Sequence, residues 1–145
     1  MKDLLYLKDE QIKEFIQLLY YAYRETFSDP REILSKKFFG PAHLRALHLI
    51  EGNPGINLGE LIFKLKVTKQ SLNRVLKDLI KLEIIEFRKD EQDTRIKHIF
   101  LNNKGKSISN EIFQVQKKRI YNALLTSRSE EVLNFDAVLN KIINE

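Results

Sequence analysis

No part of this 145-residue sequence leaves the fold less freedom than Val67 to Leu82, VTKQSLNRVLKDLIKL. Leu72, Val75, Leu76 and Leu79 recur at i, i+3, i+4 and i+7, the spacing that gathers side chains on one side of a 3.6-residue helix, so this side packs inward. Gln70, Asn73, Arg74, Lys77 and Lys81 fall on the other side. Thr68 precedes the run as an N-cap whose hydroxyl accepts from a first-turn N–H, and the helix is predicted to start at about Lys69. From Leu61 to Lys77 there are five cations and no acid, against a formal net charge of +5 for the whole chain, so the remainder sums to zero. A cationic, amide-bearing face of this kind is suited to DNA; the plainer alternative is a solvated helix surface.

Around this helix the chain reads as mostly helical. Apolar spacing through Phe15, Ile16, Leu19, Tyr20, Tyr23 and Phe27 predicts a first helix from about Asp3 to Phe27. Asp29, Pro30 and Glu32 form a start signal, an acidic cap with Pro at the first helical position, for a short helix from Pro30 to about Lys37. Gly40 and Pro41 break it, and Ala42 to Ile50 carries Leu44, Leu47 and Ile50 on one face before the GNPG turn. Asn57 and Glu60 open a further short helix through Lys64, with Leu58, Leu61, Ile62 and Leu65 as its inner face.

Only Lys66 and Val67 separate that helix from the cationic one, which is the spacing of a helix-turn-helix. After Leu82 the period changes to two: Ile85 and Phe87, then Ile96, His98 and Phe100 beyond the turn RKDEQDT, predict a β-hairpin. The architecture expected is therefore mostly α with a small β-hairpin wing, a winged helix-turn-helix over residues 41–101. Asn102 caps a long helix from Asn103 to about Thr126 with stripes through Ile108, Ile112 and Val115 and through Phe113, Ile120 and Leu124. Ser127 with Glu130 opens a last helix carrying Val132, Phe135, Leu139, Ile142 and Ile143. The whole chain, 1–145, forms one domain on this reading, with 3–37 and 103–145 as flanking dimerisation helices. Three apolar-striped helices exceed what a winged helix of this size can cover, so a symmetric dimer is expected.

Composition bounds the chemistry. Cysteine is absent, which excludes disulfides and thiolate metal sites. The acids and lysines of the N-terminus do not make a secretory signal, and no run approaches the ~18 apolar residues of a membrane span, so a cytoplasmic protein is expected. No glycine-rich phosphate loop, zinc-protease helix or nucleophile elbow is present, and neither an enzyme nor a cofactor is expected. His43 and His48 are five residues apart, roughly 140° around a helix, whereas ligand pairs stand three or four apart; core or surface histidines are the better reading, with no metal site.

The segment LGELIFKLKVTKQSLNRVLKDLIKLEIIEFRKDEQDTRIKHIFLNNKGK resembles the MarR family (multiple antibiotic resistance regulators), bacterial homodimeric winged-helix transcription factors. Leu61 matches the usual apolar residue of the first motif helix, Thr68 the small hydroxyl cap and Arg74 the recognition-helix arginine. Asp93 and Arg95 match the Asp-x-Arg of the wing, and Leu101 and Gly105 the Leu-Thr-x-x-Gly that follows. Two positions depart from the pattern: Glu83 stands where a helix-closing Gly is usual, and Asn102 where Thr is.

The resemblance implies sequence-specific binding of double-stranded DNA by a homodimer on a pseudo-palindromic operator, with recognition helices about one helical turn apart. Gln70, Asn73 and Arg74 would meet base edges in the major groove, and Lys69, Lys77 and Lys64 phosphates. Arg95, oriented by Asp93, would enter a narrow minor groove, the plainer alternative being an exposed turn ion pair. The family often binds phenolic or other small effectors, and Tyr20, Tyr23, Phe39 and His43 are candidates for such a pocket; core and dimer interface are the alternative. A winged helix used for protein–protein contact inside a larger assembly is the rival for the whole function.

Overall fold

The computed structural model describes residues 4–144. A 3-10 turn, Leu5–Leu7, leads through an extended Lys8 (φ −69°, ψ 144°) into α1, Asp9–Ser28. The start expected at Asp3 lies outside the described residues; within them the long helix opens at Asp9, with Asp9 and Glu10 beside the positive end of its dipole.

Asp29 is not the cap expected of it. No side chain caps α2, Arg31–Lys36, and the Asp29 carboxylate is instead taken by the Arg119 guanidinium at 2.7 and 3.0 Å. α3, Pro41–Gly52, follows and buries Leu44, Ala46, Leu47 and Ile50. A two-residue strand, β1 (Ile56–Asn57), precedes α4, Leu58–Leu65. α5 is Lys69–Lys81. The wing strands are β2, Ile85–Lys89, and β3, Lys97–Leu101. α6, Asn103–Leu125, and α7, Ser129–Ile143, complete the chain.

The sheet order is β1-β3-β2, all antiparallel, with Ile56 opposite Ile99 and Ile85 opposite Leu101. β1 was not expected, and it makes the wing a three-stranded sheet anchored to the helix-turn-helix. The face assigned to β3 is also reversed. Ile99 and Leu101 are buried, whereas Ile96 is exposed and His98 and Phe100 are only partly covered. A one-residue shift of phase moves every side chain of a strand to its other face.

The core is formed where α3, α4 and α5 meet the sheet, by Leu47, Ile50, Leu61, Leu72, Leu79, Ile84 and Ile99, all essentially without solvent contact. Only the N-terminal half of α6 joins it, through Gly105, Ile108, Ser109 and Ile112. A Cβ added at Gly105 would lie 2.1 Å from the Ile84 carbonyl oxygen, so α6 meets the start of β2 with no room for a side chain. α1 and α7 bury none of their residues. The α7 cap is one residue later than expected: the Arg128 N–H donates to Glu131 at 3.0 Å, while the Ser127 hydroxyl turns back to the Ala123 carbonyl. Among the described residues no helix is long and apolar enough to cross a membrane.

Candidate nucleic-acid interface

The presentation of α5 begins in α4. The Asn57 side chain accepts the Glu60 N–H at 2.9 Å and donates to the Glu60 carboxylate at 2.6 Å, fixing the first turn. α4 closes on Lys66 in the left-handed conformation (φ 53°), its N–H held by the Ile62 carbonyl at 2.9 Å. The chain therefore reverses in two residues. Thr68 is the N-cap of α5 as expected, accepting the Ser71 N–H at 3.1 Å.

Leu72, Val75, Leu76 and Leu79 are buried, so the opposite face is turned outward. Thr68, Lys69, Gln70, Asn73, Arg74 and Lys77 are all exposed there, and Lys64 is exposed on α4. Asp78, the acid of this helix, is engaged by the His43 imidazole at 2.8 Å.

The far end of α5 resolves the departure at Glu83. Glu83 itself adopts the left-handed conformation (φ 57°), its N–H reaching Ile80 at 2.9 Å while the Ile84 N–H reaches Leu79 at 3.2 Å. This is the paired closure that glycine usually supplies. α6 reinforces it: the Asn102 amide donates to the Glu83 carbonyl and Lys104 Nζ to the Leu82 carbonyl at 2.8 Å, while Asn102 Oδ1 caps Gly105 N–H at 2.8 Å. Asn102 thus serves where the family pattern has Thr.

In the wing, Arg95 Nε and Nη2 bind the two Asp93 oxygens at 3.0 and 3.1 Å, and the Arg95 N–H reaches the same carboxylate at 3.0 Å. This guanidinium beside Asp93, followed by the N–H, holds the Asp93 carboxyl below its usual range. The Arg95 side chain is nevertheless 90% exposed. It is fixed without being covered.

Between α5 and the wing lies a groove of about 680 Å³ that brings Asn73, Lys77 and Arg95 together over an apolar floor including Ile80 and Phe87. Thr68, Lys69, Gln70, Arg74 and Lys64 do not line it; they continue the exposed cationic surface along α5 and α4. The groove also contains Lys97, a cation the sequence reading did not single out; its place in alternation with Arg95 was the available signal.

The four candidates for an effector pocket are divided. Phe39 is buried, with the His43 ring stacked on it at 4.7 Å. Tyr20 is exposed on α1, and Tyr23, also exposed, packs its ring against Phe27 at 4.8 Å and accepts from Arg45 at 3.1 Å. His43 Nδ1 takes the Gly40 N–H at 3.0 Å, so a single proton on Nε2 satisfies both its bonds. Among the described residues no cluster of three or more His, Cys, Asp or Glu could hold a metal ion.

A sequence model of the MarR family matches residues 39–96, the segment from Phe39 through the wing turn. The HTH-type transcriptional regulator PetP of Rhodobacter capsulatus is 38% identical over 141 residues, 97% of this chain and 85% of that protein. Among solved structures, a MarR family regulator from Silicibacter pomeroyi superposes with a TM-score of 0.78 at 19% identity, covering 98% of this chain and 94% of that one. Streptococcus pneumoniae FabT, solved in complex with DNA, gives 0.73 at 19% identity, covering 94% and 96%. With the winged helix, the Asp93–Arg95 pair and a relative at this identity over 97% of its length, the chain belongs to the MarR family of transcriptional regulators.

Proposed function

We propose that this regulator works as a homodimer reading a pseudo-palindromic duplex, with α5 in the major groove and Arg95 in the adjacent minor groove. Family membership makes it a transcriptional regulator with a DNA-binding winged helix, and not an enzyme. The observation that carries the finer reading is the exposed face of α5 opposite a fixed, exposed Arg95. Gln70, Asn73 and Arg74 bear the planar groups that pair with base edges, and Lys64, Lys69 and Lys77 the point charges that suit phosphates. An arginine held in one rotamer loses little freedom on entering a narrow groove.

Dimerisation is supported by what the flanking helices leave uncovered. Phe15, Ile16, Tyr20, Phe113, Leu133 and Phe135 are each at least 46% exposed, on helices that bury little or nothing in one chain. Surface of this kind gains about 25 cal/mol per Å² when covered. A small effector would act by changing the fraction of dimers whose α5 helices have the operator spacing, with the stacked Phe39 and His43 as the aromatic element it would meet. Acting on chromosomal DNA, the protein would work in the bacterial cytoplasm.

The test is titration of the full chain with its own upstream duplex and with an unrelated duplex at several salt concentrations. Affinity falls steeply with salt and favours the upstream duplex; Arg74→Ala and Arg95→Ala each weaken it by about 1–3 kcal/mol. Equal affinity for both duplexes at every salt concentration, or no loss in either variant, would favour the protein–protein module. A monomer by light scattering would exclude the dimer.

A further inference from the structure

One histidine of the wing has a bonding pattern that a neutral ring cannot satisfy. His98 on β3 places Nδ1 2.7 Å from the Gly55 carbonyl oxygen and Nε2 2.8 Å from Asp90 Oδ1. A carbonyl oxygen only accepts. The Asp90 carboxylate only accepts as well, since the Gln92 and Asp93 N–H groups on its other oxygen, at 3.0 and 2.9 Å, favour the ionised form. Both ring nitrogens must therefore donate, which requires the imidazolium; a neutral imidazole has one N–H and must lose one contact. His43, whose Nδ1 accepts from Gly40, makes the contrast within the same chain.

The two contacts join parts of the fold that otherwise meet only along strands. Gly55 belongs to the turn that leads into β1, with its own N–H on the Ile99 carbonyl at 3.0 Å. Asp90 heads the wing turn and, through the Asp93 N–H, supports the residue whose carboxylate fixes Arg95. A continuous path of hydrogen bonds thus runs from the Gly55 carbonyl through His98, Asp90 and Asp93 to the Arg95 guanidinium.

We propose that His98 is a proton-dependent positioning residue for the wing, holding the Asp90 turn and hence Arg95 in the pose offered to DNA only while its ring carries both protons. The proposal rests on the reading of Arg95 as a DNA contact. The charges that face the ring favour the cation. Asp90 in the turn bonds it directly, Glu60 on α4 adds attraction, and β1 presents the neutral Asn57 opposite it. Arg88, opposite on β2, is the like charge, but its guanidinium is drawn to Glu86 at 2.6 Å and lies over the Phe100 ring at 4.2 Å. Lys89 and Glu91 stand nearby at the surface and offset each other.

The Asp90 bond and the Gly55 carbonyl raise the His98 pKa above the ordinary 6.5, and the same His98 bond followed by the turn N–H groups lowers that of Asp90. For a raised histidine, the stabilising contribution is full below the unfolded-state value and is lost as pH rises through the folded-state value. The wing therefore loosens as pH rises through the raised His98 value, and not as pH falls. His98 and Asp90 side chains are each 31% exposed, so the proton exchanges with solvent without unfolding.

The test pairs two measurements on the full chain. NMR follows the His98 ring and the amide signals of Gln92, Asp93 and Arg95 with pH, and duplex affinity is measured between about pH 6 and about pH 9 for wild type and His98→Gln. The ring should titrate above the ordinary value with the three amides moving in step. Wild-type affinity should fall roughly three- to tenfold over that range, and His98→Gln should lack this component while keeping His43 and His48 as internal controls. Titration at or below the ordinary value, wing amides that ignore the ring, or equal pH slopes in the two proteins would each overturn the proposal. If the amides follow the ring but no duplex binds at any pH, the DNA reading of Arg95 fails while the positioning role stands.

Discussion

The middle of this chain and its two ends are built from similar amphipathic helices, yet they treat their apolar faces differently. Pro30 apart, every buried hydrophobic residue described lies between Leu34 and Ile112, while α1 and α7 bury none and α6 from Phe113 onward carries exposed Phe113, Ile120 and Leu124. In the middle, α3, α4, α5 and the sheet cover one another. At the ends, equally regular stripes have nothing within the chain to lie on. Periodicity tells that a face will be covered; it does not tell by what.

The contrast can be broken hardest at the core. Leu79 has no solvent contact and joins α5 to the sheet, so Leu79→Ala should cost about 2–5 kcal/mol in urea unfolding. A loss below about 1 kcal/mol would mean that the middle does not hold itself together. At the ends, Phe135→Glu on α7, where the ring is 57% exposed, should leave the helical spectrum intact and weaken self-association on the order of tenfold or more. The same molecular mass as wild type at every concentration would remove α7 from the interface. The smallest effect is at the junction: Glu83→Gly relieves a left-handed backbone at some cost in unfolded-chain entropy, for a net gain of roughly 0.5–1 kcal/mol. A loss instead would show that the Glu83 side chain contributes more than its backbone strain removes.

The helix-turn-helix was legible because its signals are local. The Thr68 cap, the Leu72 to Leu79 stripe and the two-residue reversal all lie within about four turns of helix, where spacing decides contact. The Asp93–Arg95 pair was legible for the same reason. Most of what was missed depends on distant partners. Asp29 has the grammar of a cap, but Arg119, ninety positions on, is a stronger partner than a first-turn N–H. β1 is too short for alternation to register, and β3 is apolar in both phases, so only the presence of Ile56 and Leu101's neighbours in space decides which face is inside. At the α7 cap, Glu130 and Glu131 are adjacent and offer two overlapping start signals. The effector candidates stay a proposal, since their aromatic character suits a core as well as a pocket. His98 could not be seen at all, because neither Gly55 nor Asp90 is marked as its acceptor by spacing.

The tight seat of Gly105 under Ile84 has a mechanical meaning. α6 cannot slide over the start of β2, and its N-terminal end also grips the Leu82 and Glu83 carbonyls that close α5, so the two elements turn as one piece. With 23 residues, α6 is a lever arm about 35 Å long. A tilt of about 5° at its outer end would carry the other end through about 3 Å, close to the axial rise of one base pair in duplex DNA, ~3.4 Å. In the proposed dimer, a rearrangement too small to disturb any single contact between subunits would thus be geared into a misfit of nearly one base pair at the operator.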